Sequence, residues 1–274
     1  MPPLLFKKPS KKAKRLKALL YGQSGVGKTT AAIAFPRPAL IDTERGAVMD
    51  QYVEALEQSG GVVLSTSNFE TVLDQVRSLA IEKHPYQTLI IDPITVIYDD
   101  LSASWEKKVG DEWSRHRQKA TTDWKRLTTL LSTLDMNVVL TAHAKNEWAN
   151  GEATGRQTWD GPKGADYWVD LNLEVQRRDG DDRVAIVRKS RVRGLEVDTE
   201  LAFSYEAIAE PYGRDVLERD ATPLAPNYME LLDLVSSRED GEDLLSRMLK
   251  KAGVATISDL SSEQVGKAIE WLNA

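Results

Sequence analysis

The 274-residue sequence contains no cysteine. Disulfides, a thiol nucleophile and a thiolate metal site are therefore excluded. Histidine is nearly as scarce: His84, His116 and His143 are far apart, which argues against a zinc centre. No apolar run approaches the ~18 residues of a membrane-spanning helix, so no membrane partner is expected. The N-terminal stretch MPPLLFKKPSKKAKRLKALL is broken by basic residues and lacks the apolar centre of a secretion signal. A cytoplasmic location follows as the expectation. Acid is missing from the first 20 residues, which carry seven Lys and Arg side chains.

The formal charge of −6 averages two unlike parts. Residues 1–195 hold 29 Lys+Arg against 25 Asp+Glu, whereas residues 196–274 hold 7 against 17. Such asymmetry points to separate surfaces: either a solvated basic arm with an acidic, soluble C-terminal module, or a basic nucleic-acid contact with an acidic end that moderates it.

Strand-like and helical segments alternate along the chain. KALLY (17–21), PALID (38–42), TLIID (88–92) and VVLTA (138–142) are short apolar strands. Helical spacing of apolar residues marks 69–82, and also 120–134, where Trp124, Leu127, Leu131 and Leu134 share a face. LNLEVQ, RVAIVRK and LAFSYE are expected as later strands, the first two joined by a hairpin around Asp179-Gly180. This pattern predicts an α/β fold: a mostly parallel sheet with flanking helices and antiparallel edge strands. PLAPN (223–227) is a linker signal, and 227–274 is expected as a small helical module. There, Leu244, Leu245, Met248 and Leu249 form a stripe ending near Gly253, and Ser261 to Gln264 form a capping box. The expected division is a basic arm (1–16), a core (17–220) and the C-terminal module (227–274).

The segment Gly22-Gln23-Ser24-Gly25-Val26-Gly27-Lys28-Thr29, followed by Thr30, satisfies G-x-x-x-x-G-K-[ST] between a strand and a helix. Its glycines let backbone N–H groups curl around a β-phosphate, and the helix start adds positive potential. Lys28 should reach the β- and γ-phosphates of ATP, and Thr29 should ligate Mg²⁺. Asp92 ends an apolar strand, where a second Mg²⁺-shell carboxylate belongs. Pro93 follows it, so the group orienting the attacking water must come from elsewhere. Glu44, just past PALID, is the candidate, and His143, just past VVLTA, is a candidate γ-phosphate sensor.

These residues, in this order, resemble the RecA-like P-loop ATPase core over roughly residues 16–206. The resemblance implies that LIDTERG supplies the catalytic Glu44. It also implies that Lys189 and Arg191, spaced K-x-R in IVRKSRVRG, reach the neighbour's ATP in a ring or filament of identical subunits. Within that superfamily the chain looks most like phage-encoded nucleotide-binding ATPases, including RecA-like single-strand annealing proteins. It departs from RecA in lacking a large N-terminal oligomerisation domain and in carrying His143 where RecA has Gln.

Six of the seven tryptophans fall between Trp105 and Trp168. A RecA-like core would place its two DNA-binding loops in that span, at about 102–121 and 144–165. Tryptophan with basic residues suits single-stranded DNA, which needs stacking without base preference and phosphate neutralisation. Lys145, Arg156, Trp159 and Lys163 are the expected contacts, with Trp113, Arg115 and Arg117 next. The expected function is a Mg²⁺-dependent, DNA-stimulated ATPase acting on single-stranded DNA in recombination or annealing. The alternatives are a helicase-like or loader motor and a nucleotide-gated protein recruiting replication or recombination partners, such as a single-strand binding protein, through the C-terminal module. A small-molecule kinase is disfavoured, because no arginine-bearing lid is legible.

Overall fold

The computed structural model describes residues 14–273 apart from 47–48, 111–113, 163, 179–181, 226, 237, 239 and 255–256. In chain order, the first half comprises β1 (Lys17–Gly22), α1 (Lys28–Ile33), β2 (Pro38–Asp42), α2 (Asp50–Gln58), β3 (Val62–Ser65), α3 (Phe69–Ile81), β4 (Thr88–Asp92), α4 (Ile94–Val109) and α5 (Arg115–Thr133). It continues through β5 (Asn137–Ala149), β6 (Glu152–Trp159), β7 (Leu171–Arg177), β8 (Arg183–Ser190) and β9 (Glu200–Ala202). The helices α6 (Tyr205–Tyr212), α7 (Arg214–Leu217), α8 (Tyr228–Ser236), α9 (Gly241–Ala252) and α10 (Ser262–Asn273) complete it.

The strands form one sheet in the order β3-β2-β4-β5-β1-β7-β8-β9, with β6 paired to β5 outside that path. From β3 to β7 every neighbour is parallel, whereas β8, β9 and β6 are antiparallel. Alternation along each central strand divides the core between the two faces. Leu19, Ile41, Leu89, Ile91, Val138 and Leu140 pack against α3, α4 and α5. Leu20, Leu40, Ile90 and Val139 face α1, α2, α6 and α7. The protein is thus an α/β P-loop fold whose parallel sheet is covered on both sides.

The C-terminal helices extend the first of these layers. Tyr228, Leu231, Val265 and Ile269 belong to the same apolar cluster as Val76, Leu127 and Leu130. Asp233 of α8 bonds Arg77 of α3 and lies 3.4 Å from Arg126 of α5. Gly253 stops α9 in a left-handed conformation, φ 67°. Ser261 and Gln264 cap α10 reciprocally, at 2.9 and 3.3 Å.

Four local expectations change. LAFSYE is a strand only in its first residues, because Ser204 accepts from the Ala207 N–H at 3.2 Å and starts α6. Of the span 102–121, expected as a loop, residues 102–109 end α4 and 115–121 start α5. The span 144–165 is largely a β-hairpin: β5 runs on beyond the sheet and β6 folds back on it. Asn150 (φ 53°) and Gly151 (φ 85°) both take left-handed angles at the turn, as a tight hairpin requires. Finally, Arg15 and Leu16, read as the end of a solvated arm, are buried. Arg15 donates to the carbonyls of Val216 and Leu217 at 2.8 and 2.9 Å. Arm residues 1–13 and the Asp179-Gly180 turn lie outside the described residues, as do Trp113 and Lys163.

Candidate nucleotide site

Strand order decides which residues meet at the carboxyl edge. β1 leads into the phosphate loop, and β5 separates it from β4, which carries Asp92. Gly22 is in register with His143 of β5 on one side. On the other it presses against β7: a side-chain carbon at Gly22 would sit 2.3 Å from the Val175 carbonyl oxygen. Only glycine lets the loop leave the sheet there.

Lys28 opens α1 and is buried. Its ammonium donates to the carbonyls of Gly22 and Gln23 at 2.9 and 2.8 Å. Burial pulls its pKa below the ordinary lysine value, while the negative charges of Asp92 and Glu44 oppose that shift. The charge therefore already faces the two carboxylates expected of the site.

Asp42 and Asp92 are in register at the ends of adjacent strands. Thr141 of β5, fully buried, donates its hydroxyl to Asp92 Oδ1. Asp42 accepts from the Glu44 N–H at 3.1 Å and so shapes the turn that presents Glu44. Glu44 Oε1 lies 3.0 Å from His143 Nε2, so the two side chains expected at separate strand ends form one pair. Thr95 Oγ1 accepts from the His143 N–H at 3.1 Å and donates to the Asp160 carbonyl at 2.8 Å. The base of the β5–β6 hairpin is thereby tied to the same edge.

A cavity of about 640 Å³ joins these groups, lined by the phosphate loop with Asp42, Glu44, Asp92, His143 and Arg183. Among the described residues no three His, Asp or Glu side chains converge as a metal cage. That donor set fits Mg²⁺ held by Thr29 and Asp92 together with nucleotide phosphates, since Mg²⁺ favours a few carboxylates, waters and phosphate oxygens. Asp42, Thr141 and Arg183 were not anticipated. Asp42 stands in PALID and could have been read there; the other two are placed by tertiary structure alone.

Lys189 and Arg191 do not join this site. Lys189 is in register with Asn172, and Ser190 with Leu171, which pairs with Ala18 at the start of β1. They therefore lie at the opposite edge of the sheet. Lys189 donates to the Asp166 and Tyr167 carbonyls, and Arg191 to that of Tyr167 at 2.8 Å.

The tryptophans mostly pack. Trp124 is buried, and Trp105 and Trp159 are half-buried against the core. Trp105 also donates to Asp123 at 2.7 Å. Trp159, expected as a DNA contact, thus lies in the apolar layer, whereas Trp148 near the hairpin tip is 66% exposed. On the same hairpin Lys145 pairs with Asp160 at 2.8 Å. Arg156 is exposed at the mouth of a second cavity of about 580 Å³, shared with Gln23, Arg177 and Arg188. Arg115 and Arg117 are exposed on the first turn of α5. Among the described residues no helix is long and apolar enough to cross a membrane.

A family model described as an AAA domain matches residues 14–194, which span the whole nucleotide cavity. A search of curated proteins found no match.

Proposed function

The chain belongs to the AAA-domain family of P-loop ATPases, and from that premise we propose that it is a RecA-like, Mg²⁺-dependent ATPase acting on single-stranded DNA. Binding and hydrolysis of a nucleotide follow from the family. The DNA substrate, a role in recombination or annealing, and assembly into a ring or filament are our reading. Lys28 would hold the β- and γ-phosphates, Thr29 and Asp92 the Mg²⁺, and Glu44 would orient the attacking water. Bound Mg²⁺ supplies neutralisation of the charge that develops on the transferred phosphoryl group.

One observation carries the DNA reading. Strand β5 runs without a break from His143 at the nucleotide cavity into an exposed hairpin bearing Trp148, Lys145 and Arg156. An exposed tryptophan beside basic side chains is what a sequence-independent single-strand contact uses. The groove at the base of that hairpin contains Gln23 of the phosphate loop as well as Arg156. A nucleic-acid backbone lying there would touch the loop that holds ATP.

The test is ATP turnover with and without single-stranded DNA, with particle mass measured in parallel. The expected outcome is turnover stimulated by DNA in an assembly larger than one chain. DNA-independent turnover by a monomer would overturn both the DNA and the assembly readings while leaving the ATPase intact. A Trp148→Ala variant should lose about 1–3 kcal/mol of single-strand affinity, the usual worth of one base–aromatic stack.

A further inference from the structure

Arg183 opens β8, far along the chain from the phosphate loop, yet its side chain lies directly on that loop. A side-chain carbon at Gly27 would be 2.6 Å from both Cδ and Nε of Arg183. Arg183 is exposed and lines the same cavity as Lys28, Thr29, Glu44 and Asp92. Two other arginines of the same edge hairpin are committed: Arg188 to Glu174 and Asp198, Arg178 to Glu200. Among the described residues no ion pair includes Arg183. A guanidinium laid on a loop built to hold phosphates has an obvious complement.

We propose that Arg183 is a nucleotide-binding residue acting within its own chain, clamping the phosphates that precede the γ-phosphate. The strand order sets this assignment. Glu44, Asp92 and His143 occupy the β2, β4 and β5 side of the loop, and the reacting phosphate belongs beside them. Arg183 reaches Gly27 from the opposite side, over β7, whose Val175 carbonyl abuts Gly22. It therefore meets the α- and β-phosphates, which ADP and ATP share. A planar guanidinium can bond two phosphate oxygens at once, which an ammonium cannot. The contact is equal in ground and transition states, so it supports binding rather than the chemical step. Its partner from sequence is invisible, because β8 reaches the loop only through the pairing of β7 with β1 and β8 with β7.

This inference rests on the nucleotide-binding part of the proposed function and is independent of DNA. Its test uses the full chain and measures binding of Mg-ADP and Mg-ATP by calorimetry, with steady-state turnover alongside. Arg183→Ala should weaken ADP and ATP by the same factor, about 10-fold or more for loss of a charge-assisted bidentate contact. KM should rise with it, and kcat should change far less. Arg183→Lys, which keeps the stem and the charge but not the fork, should fall between, and it carries the test if the alanine variant does not fold. Unchanged ADP affinity in both variants would overturn the proposal. A loss of kcat with binding intact would also overturn it, by placing the guanidinium at the γ-phosphate. If the unaltered protein bound neither nucleotide, the nucleotide reading itself would fail, a result distinct from either of these.

Discussion

His143 Nε2 and Glu44 Oε1 stand 3.0 Å apart, one at the end of the sheet portion of β5 and the other just past β2. Both side chains are about half exposed, so the pair adds little to stability, about 0.2–1 kcal/mol. Its consequence is positional: the imidazole holds the carboxylate over the cavity that Lys28 and Asp92 share. Glu44→Gln keeps the shape and removes the proposed base. Turnover should fall by about 10²–10⁴-fold, the usual contribution of a general base, while ATP affinity stays near that of the unaltered protein. Single-turnover hydrolysis together with equilibrium ATP binding separates the two effects. Full turnover in the variant would remove Glu44 from the mechanism.

Thr141 makes a quieter prediction. Its hydroxyl donates to Asp92 Oδ1 from the strand lying between the phosphate loop and Asp92. Thr141→Val preserves volume and deletes the donor, leaving the carboxylate free to rotate. Partners of metal-ligating groups typically matter by about 10–100-fold in metal affinity. The Mg²⁺ concentration for half-maximal turnover should therefore rise by about 10-fold or more, and Thr141→Ser should restore it. If the requirement for Mg²⁺ does not move, Thr141 only packs.

Lys17 gives a pH dependence of known sign. Its ammonium is buried and donates to the Leu134 and Met136 carbonyls at 2.9 and 2.8 Å. Burial pulls its pKa from 10.5 to about 7, with Asp170 and then Asp135 opposing and Arg15 adding to the shift. Between those values the unfolded chain holds a proton that the folded chain has released, so stability rises with pH across that window. The contribution is complete above the unfolded value and lost as pH falls through about 7. Urea denaturation at pH 7, 8 and 9 should show the unaltered protein gaining on Lys17→Met by up to about 1.4 kcal/mol per pH unit. Parallel curves for the two proteins would mean that Lys17 stays charged when folded.

The nucleotide site was legible because its signals are local. Gly22 to Thr29 is a contiguous motif, and Asp92, Glu44 and His143 each end or follow a short apolar run that reads as an internal strand. The hairpin was legible in principle through Asn150-Gly151, but the polar, glycine-rich segment around it concealed alternation that is broken by a bulge between Asn146 and Trp148. The tryptophan cluster was less legible for another reason. Composition counts rings, and burial is decided by the helices α4 and α5 that those same residues build. Arg183 and Thr141 had no signal at all, since each meets its partner across strands brought together by sheet order.

Lys189 and Arg191 yield the last prediction. They project from the sheet edge opposite their own phosphate loop, held by the carbonyls of Asp166 and Tyr167. From that edge they do not reach their own Lys28, so a role in hydrolysis would be played at a neighbouring copy. A head-to-tail interface makes that role testable by mixing. Glu44→Gln subunits lack the proposed base but keep the basic pair; Lys189→Ala, Arg191→Ala subunits keep Glu44 but lack the pair. Each population alone should turn over little ATP while binding it normally. In a random one-to-one mixture, about a quarter of the interfaces would combine an intact base with an intact pair, as expected for independent choice of the two neighbours. Activity should then recover to about a quarter of the unaltered rate. Normal turnover by the Lys189→Ala, Arg191→Ala protein alone would sink the role in the neighbour's site. Failure of the mixture to recover, with both proteins shown to co-assemble, would do the same.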